Sequence, residues 1–111
     1  MSSKQKRIMV WTGASGKKYE YTLYGLDAEF NNVAGNYVFA QEVEPRTWKA
    51  VYVGQTDDLG RRLANHEKKP CVRRHGGTHV HVHGNATGES ARREEESDLI
   101  KALDPVCNKQ G

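Results

Sequence analysis

The feature that most constrains the fold is a pair of strand-like segments in the middle of the chain that leads directly into a short helix. Residues 35–43 (GNYVFAQEV) and 49–54 (KAVYVG) are rich in β-branched and aromatic residues. The EPRTW segment between them contains a proline suited to a turn. The pattern predicts a β-hairpin.

Side chains alternate between the two faces of a strand, so the hairpin also predicts which residues share a face. Tyr37 and Phe39 should lie together on the first strand. On the second strand Val51 and Val53 should share a face, with Tyr52 on the face opposite them. Tyr52 is therefore a poor candidate for a residue that only fills the core.

A short helix is predicted after the hairpin. Thr56 or Asp57 can cap its first free amides, and Pro70 is expected to end it. Leu59 and Leu63 form an apolar stripe at the i, i+4 spacing. The segment KKPCVRRHGG that follows is expected to be a basic loop.

Arg62 and His66 form a second row on the predicted helix at the same spacing, so their side chains should be neighbours. A guanidinium offers a planar fork of donors that suits a phosphate, and a histidine beside it could move a proton. An ordinary solvated helix face is the alternative, and the pair alone favours that alternative.

Hydrophobic periodicity predicts the remaining elements. Residues 6–12 and 19–26 suggest an N-terminal hairpin, residues 78–84 (THVHVHG) alternate as a strand, and residues 90–103 suggest a helix. The order of two hairpins, helix, strand and helix predicts one α+β domain of 111 residues, with a small, mainly antiparallel sheet flanked by helices.

The net charge of +3 is mild, but basic residues crowd the middle of the chain. A local basic surface attracts phosphates even when the net charge is small. A solvated charged surface explains the same feature equally well. The candidate nucleic-acid contacts in this stretch are Arg61, Lys68, Lys69, Arg73 and Arg74.

No apolar run approaches the length of a membrane span or a signal-peptide core, so we expect a cytoplasmic protein with no membrane partner. Cys71 and Cys107 do not make a disulfide framework. In a reducing compartment both are expected to be free thiols.

Glu96 is the most informative acidic residue, because its i+3, i+4 and i+7 neighbours are apolar. An ionised carboxylate at the edge of a buried stripe needs a cationic partner or a metal ion. Glu94 and Glu95 have no such neighbours and are expected to be solvated. An ion pair with Arg92 or Arg93 is the alternative to a metal, and helix geometry alone favours it. The apolar neighbours are Leu99, Ile100 and Leu103.

The run HVHVH raises the possibility of zinc, because alternate histidines on a strand point the same way. The spacing fits none of the usual compact zinc patterns, and the chain has no C-x-x-C. We expect His79, His81 and His83 to line a polar sheet face near the site and to help bind phosphate when protonated. A zinc site could also recruit Cys71, His75 or Cys107.

Taken together, these residues resemble the GIY-YIG endonuclease superfamily. The two namesake tripeptides correspond to Gly35-Asn36-Tyr37 and Tyr52-Val53-Gly54, and Asn36 departs from the usual aliphatic residue. The resemblance covers residues 35–108, with residues 1–34 as an N-terminal extension that carries a hairpin. The other matching positions are Arg62, His66, Glu96, Leu99-Ile100, Pro105 and Asn108.

The resemblance implies a phosphodiesterase that uses a divalent metal, Mg²⁺ or Mn²⁺, held by Glu96. Arg62 would counter the charge that grows on the phosphoryl oxygens, and Tyr37 would be the base or the group that orients water. Free tyrosine titrates near 10, so Tyr37 would need a lowered pKa or help from His66 to act as a base. Tyr52 would form a hydrogen bond near the scissile phosphate, and His66 would assist proton movement or phosphate binding. Asn108 would shape the site from its far end.

The predicted function is a small endonuclease that cuts DNA with low sequence specificity, because its affinity would come mainly from phosphates. Two alternatives stay open. One is a nucleic-acid-binding module of the same fold without cleavage. The other is a zinc-binding structural protein that uses the histidine-rich strand.

Overall fold

The computed structural model describes residues 7–109 of the chain as an α+β domain. The predicted domain also includes residues 1–6 and 110–111, which lie outside the described residues, as does the first residue of the strand predicted from position 6. The strands are β1 (Ile8–Thr12), β2 (Lys18–Gly25), β3 (Gly35–Glu44), β4 (Thr47–Thr56) and β5 (His79–Gly84). The helices are α1 (Leu59–Ala64), α2 (Lys69–Arg74) and α3 (Glu89–Leu103), followed by a 3₁₀ turn at Val106–Asn108.

The five strands form one sheet in the order β1-β2-β5-β3-β4. Every pair of neighbouring strands is antiparallel. Strand β5 joins the two predicted hairpins, because it pairs with β2 on one side and with β3 on the other. The predicted fold class is therefore confirmed, and the N-terminal hairpin extends the sheet.

Each face of the sheet carries its own hydrophobic core. Helix α3 packs on one face through Leu99, against a cluster that includes Trp11, Tyr21, Val38 and Val53. Helices α1 and α2 and the 3₁₀ turn cover the other face. Its buried residues are Tyr37, Phe39, Val51, Leu59, Leu63, Cys71, Val72, Val80, Val82 and Cys107.

A β-bulge in β4 changes the predicted alternation. Phe39 pairs with Tyr52, whereas Ala40 pairs with Ala50, so Val51 is an extra residue without a partner on β3. Val51 therefore packs in the same cluster as Tyr52, and Val53 packs on the opposite face. The prediction that Val51 and Val53 share a face was wrong, while the shared face of Tyr37 and Phe39 is confirmed.

The region after β4 differs from the prediction in two respects. Asp58, rather than Thr56 or Asp57, caps α1, because its carboxylate accepts a hydrogen bond from the backbone N–H of Arg61. The predicted basic loop is largely helix α2, and Pro70 lies in its first turn. A proline there begins a helix without loss, since the first amides of a helix have no intrahelical acceptor.

The two cysteines are joined in a disulfide, Cys71–Cys107, which links α2 to the 3₁₀ turn. The sequence did not predict this pairing, and the expectation of free thiols in a reducing compartment stays a prediction. The residues are 36 positions apart, so only the tertiary fold brings them together. In the part of the chain that the structure describes, no helix has both the length and the apolar character to cross a membrane.

Candidate active site

Tyr37 and His66 form the centre of a polar cluster on the α1 face of the sheet. The Tyr37 hydroxyl lies 2.7 Å from Nε2 of His66. The imidazole ring packs edge-on against the rings of Tyr37, Phe39 and Tyr52, with ring centroids 5.0–5.5 Å from its own. His66 is 3% exposed, so it belongs to the aromatic core and not to a solvated helix face.

The hydrogen bonds of His66 fix the position of its ring proton. Burial, and then the positive charge of Arg62, lower the pKa of His66 to about 4, so the imidazole is neutral near pH 7. Its Nδ1 accepts a hydrogen bond from the backbone N–H of Lys68 at 3.0 Å. The single proton therefore sits on Nε2, which donates to the Tyr37 oxygen. In this state His66 cannot take a proton from Tyr37.

Arg62 lies beside both tyrosine hydroxyls. Burial raises the pKa of Tyr37 well above its ordinary value, and the Arg62 guanidinium partly offsets that rise. Tyr52 shows the same two effects. Arg62 also pairs with the exposed Glu67 carboxylate at 2.8 Å. Because α1 ends at Ala64, His66 lies beyond the helix, so the predicted helical row of Arg62 and His66 was wrong even though the two residues are close.

Gly54 is a site residue whose physical role the sequence did not reveal. It pairs directly with Tyr37 across β3 and β4. A Cβ placed on Gly54 would lie 2.5 Å from both Cζ and Oη of Tyr37, so any side chain there would displace the tyrosine. The glycine of the second tripeptide therefore creates the space that the Tyr37 ring occupies.

Glu96 lies on α3 and is half-buried, as predicted. Its negative charge raises the pKa of both Tyr37 and Tyr52. Burial raises the pKa of Glu96 itself, and Arg93 only partly offsets that rise. Within residues 7–109 its carboxylate has no hydrogen bond or ion pair. The alternative of a pair with Arg93 is not realised, since Arg93 binds Glu89 at 2.7 Å.

Glu95 was expected to be solvated, and that expectation was wrong. It is 4% exposed and accepts a hydrogen bond from the Tyr21 hydroxyl at 2.6 Å. His83 Nδ1 lies 2.9 Å from the same carboxylate, which raises the pKa of His83. The helical stripe gave no sign of this burial, because both partners come from strands distant in sequence.

Asn36, the departure in the first tripeptide, is fully buried on the face that α3 covers. Its amide group donates to the backbone carbonyl of Arg92 at 2.9 Å and accepts from Asn85 at 3.3 Å. The polar side chain is therefore satisfied and ties β3 to α3. The side chain of Arg92 in turn donates to Gln55 at 3.1 Å, so it too is unavailable to Glu96.

Asn108 contacts the backbone of β4. Its Oδ1 accepts from the Val53 N–H at 2.8 Å, and its Nδ2 donates to the Val53 carbonyl at 2.9 Å. Both ends of the amide are therefore engaged with the residue next to Tyr52. This geometry suits a residue that positions β4 rather than one that contacts a substrate.

The histidine strand does not line an open polar face. His81 is fully buried, its Nδ1 accepts from Trp11 Nε1 at 3.0 Å, and burial lowers its pKa to about 3. It stays neutral and cannot bind phosphate as a cation. His83 is engaged with Glu95, and His79 lies within hydrogen-bonding distance of Thr78. The prediction that all three histidines line an open polar face was wrong, while phosphate binding by His79 or His83 stays a prediction.

The predicted basic contacts lie on and around α1 and α2. The Asp27 carboxylate pairs with two of them, Arg73 at 2.9 Å and Lys69 at 3.7 Å. Arg61 and Arg74 are exposed and have no ion pair within residues 7–109. Lys68 is partly exposed at the start of α2.

Of the six predicted catalytic residues, four lie together at the Tyr37 hydroxyl, Glu96 acts on them through its charge from α3, and Asn108 contacts β4 from the neighbouring 3₁₀ turn. Searches of protein-family models, of curated proteins and of solved structures find no match to this chain. The resemblance to the GIY-YIG superfamily rests on the residues and spacing quoted from the sequence. The four residues that lie together are Tyr37, Tyr52, Arg62 and His66.

Proposed function

We propose that this protein is a metal-dependent endonuclease of the GIY-YIG type that hydrolyses phosphodiester bonds in DNA. The observation that carries the proposal is the half-buried Glu96 carboxylate, which has no ion pair in the described chain and whose charge raises the pKa of the two tyrosines beside Arg62. Perturbed titratable groups that converge in this way are typical of active sites. A role in stability alone does not explain why Glu96 lacks a partner.

The donor chemistry at Glu96 fits a hard divalent cation. Mg²⁺ prefers oxygen ligands and is commonly held by one or two carboxylates together with water and phosphate. Burial raises the pKa of Glu96, and a bound cation would reverse that effect. Glu96 would hold Mg²⁺ or Mn²⁺, and the ion would supply Lewis-acid stabilisation of charge on the phosphate.

The neighbouring side chains would act on the phosphate and on the attacking water. Arg62 would counter the charge that develops on the phosphoryl oxygens. Tyr37 is better suited to orient water than to remove its proton, because burial keeps its hydroxyl protonated. Neutral His66 would hold the Tyr37 oxygen in place through Nε2–H, and Tyr52 would donate a hydrogen bond near the scissile phosphate.

DNA would be bound mainly through its backbone. The basic residues on α1 and α2 offer charges for phosphates, and such contacts carry little sequence information. Asp27 already pairs with Lys69 and Arg73, so those two residues would exchange a carboxylate for a phosphate. Arg61 and Arg74 would bind without that exchange.

The test is the nicking of supercoiled plasmid in the presence of Mg²⁺ or Mn²⁺. We expect the wild type to nick the plasmid and a chelator to stop it. Glu96→Gln and Arg62→Ala should each lower the rate by about 10²–10³. Glu94→Gln is the matched control, because Glu94 is an exposed glutamate on the same helix, and it should retain the wild-type rate.

Equal nicking by the wild type, Glu96→Gln and Arg62→Ala would show that the activity does not come from this site. If the wild type binds DNA but cleaves no plasmid, single-stranded, branched or RNA substrate, the protein is a binding module. A fluorescence anisotropy titration on the same substrates separates that outcome from a protein that does not bind nucleic acid.

A further inference from the structure

A second cluster of chemically reactive side chains lies between α2 and the 3₁₀ turn. Cys71 and His75 are one turn apart on the chain, and the backbone N–H of His75 donates to the Cys71 carbonyl at 3.0 Å. Cys107 approaches from the 3₁₀ turn. One candidate ligand atom from each residue, two Sγ and one imidazole nitrogen, lies within 4.8 Å of the other two.

Two sulfurs and an imidazole are a ligand set that suits Zn²⁺. Zinc is borderline-soft and is commonly tetrahedral, with thiolate and imidazole ligands. The three side chains could occupy three tetrahedral positions. His75 is exposed, so the fourth position would be open to water. Two thiolates balance the charge of Zn²⁺, so a neutral site results, which a helix rich in lysine and arginine tolerates.

We propose that reduction of the Cys71–Cys107 disulfide creates a zinc site that His75 completes. A small-molecule thiol supplies the two electrons, and two RSH are oxidised to one RSSR. The Cys71–Cys107 S–S bond is broken, and each cysteine becomes a free thiol. Zn²⁺ then displaces one proton from each thiol to solvent, while neutral His75 binds through a ring nitrogen. The oxidised pair has no thiolate to offer and does not hold the metal.

This site is separate from the histidine strand. The metal-ligand clusters found within residues 7–109 do not include His79, His81 or His83. The strand histidines are engaged elsewhere, in particular His81 with Trp11 and His83 with Glu95. His79 therefore serves as a matched control, since it is a partly exposed histidine outside the cluster.

Both chemical states would link α2 to the C-terminal turn. Asn108 follows Cys107 directly and is hydrogen-bonded to Val53 of β4. Exchange of a disulfide for a zinc bridge would therefore keep this turn against β4 when the thiols are reduced. The inference does not depend on the proposed nuclease function, because its readouts are metal binding and proton release.

The experiment uses the full chain in two forms, oxidised and reduced by a small-molecule thiol, each desalted under inert gas. Each form is titrated with Zn²⁺ against a chromogenic chelator. We expect one Zn²⁺ per reduced chain, release of about two protons, and no binding by the oxidised chain. Co²⁺ added to the reduced chain should give a thiolate-to-cobalt charge-transfer band.

His75→Ala should weaken zinc binding by at least about tenfold, because one ligand is lost. His79→Ala should leave the affinity unchanged. His75 is exposed, so its removal does not threaten folding, which circular dichroism checks. The inference is overturned if the reduced wild type binds no zinc, if the oxidised form binds equally well, or if the two variants have the same affinity.

Discussion

Glu95 and Glu96 are consecutive residues on α3, yet they occupy opposite chemical situations. Glu95 is almost fully buried and receives a hydrogen bond from Tyr21, with His83 beside it. Glu96 is half-buried and has no partner within residues 7–109. Neighbouring positions on a helix differ in direction by about 100°, so the two carboxylates enter different environments.

The contrast separates a structural carboxylate from a functional candidate. The charge of Glu95 is compensated inside the fold, so its contribution is expected in stability. The charge of Glu96 has no partner within residues 7–109, so its contribution is expected in binding and catalysis. Burial alone would have made Glu95 the stronger candidate for a functional residue, because it is the more buried of the two.

The largest expected effect is that substitution of Glu96 changes the nicking rate, whereas substitution of Glu95 changes the free energy of unfolding. Glu96→Gln should lower the nicking rate by about 10²–10³ and leave the free energy of unfolding unchanged or slightly higher. Glu95→Gln should lower that free energy by about 1–3 kcal/mol and keep cleavage within a few-fold of wild type. Plasmid nicking and urea denaturation measure the two quantities. Loss of cleavage in Glu95→Gln, in a protein as stable as wild type, would break the comparison.

His66 and His83 should contribute to stability with opposite dependences on pH. The pKa of His66 falls from 6.5 to about 4 on folding, so its contribution to stability is full above pH 6.5 and is lost as the pH falls towards 4. The pKa of His83 is raised, so its contribution has the opposite sign: it is full below the unfolded pKa and is lost as the pH rises through the folded pKa.

Between pH 7 and pH 5, the wild type should lose about 2 kcal/mol more stability than His66→Gln does. The reason is that only the unfolded wild-type chain gains the proton at position 66. His83→Gln should instead show a steeper loss than the wild type over the same range. Denaturant titrations at several pH values provide the measurement, and parallel curves for all three proteins would contradict both assignments.

Tyr21, which is hydrogen-bonded to Glu95, and Tyr37, at the candidate site, should also differ in what their hydroxyls contribute. Tyr21→Phe should lower the free energy of unfolding by about 2 kcal/mol, because it removes a donor from the buried Glu95 carboxylate. It should leave nicking unchanged. Tyr37→Phe should slow nicking by at least about tenfold, since it removes the hydroxyl proposed to orient water. Equal nicking by the two variants would remove Tyr37 from the proposed mechanism.

The smallest effect is expected at Asn108. Asn108→Ala should lower the free energy of unfolding by about 1 kcal/mol, because water can replace part of its two bonds to Val53. The Mn²⁺ affinity of the site, followed by electron paramagnetic resonance, should not change. A large loss of Mn²⁺ binding with unchanged stability would instead make Asn108 a ligand.

The sequence predicted the sheet well, because alternation and turn residues are local signals. The two hairpins, the histidine strand and α3 follow from such signals. Helix α2 was missed because Pro70 was interpreted as a helix stop, whereas it begins a new helix. The disulfide and the burial of Glu95 depend on partners 36 and 74 positions away, and a pattern read along the chain carries no information at that range.

The candidate site was predictable in composition but not in its hydrogen bonds. The i, i+4 spacing of Arg62 and His66 predicted that they are neighbours, and only the family resemblance favoured them as site residues. They are close although the helix ends before His66. The neutral tautomer of His66 depends on the backbone N–H of Lys68, whose position beside Nδ1 no sequence pattern indicates. The role of Gly54 could be recognised only from the structure. A Cβ at this position would collide with the Tyr37 ring on the neighbouring strand.

The bulge at Val51 has a consequence for how the chain could change length during evolution. Trp48 and Tyr52 pack on opposite faces although they are four residues apart, which a regular strand cannot achieve. Loss of one residue between them would restore an even alternation and leave both rings on their present faces. Gain of one residue would also make the spacing odd, but it would leave a second unpaired residue opposite β3 or shift the pairing of the two strands. Across descendants of this chain, shortening here should therefore be more common than lengthening.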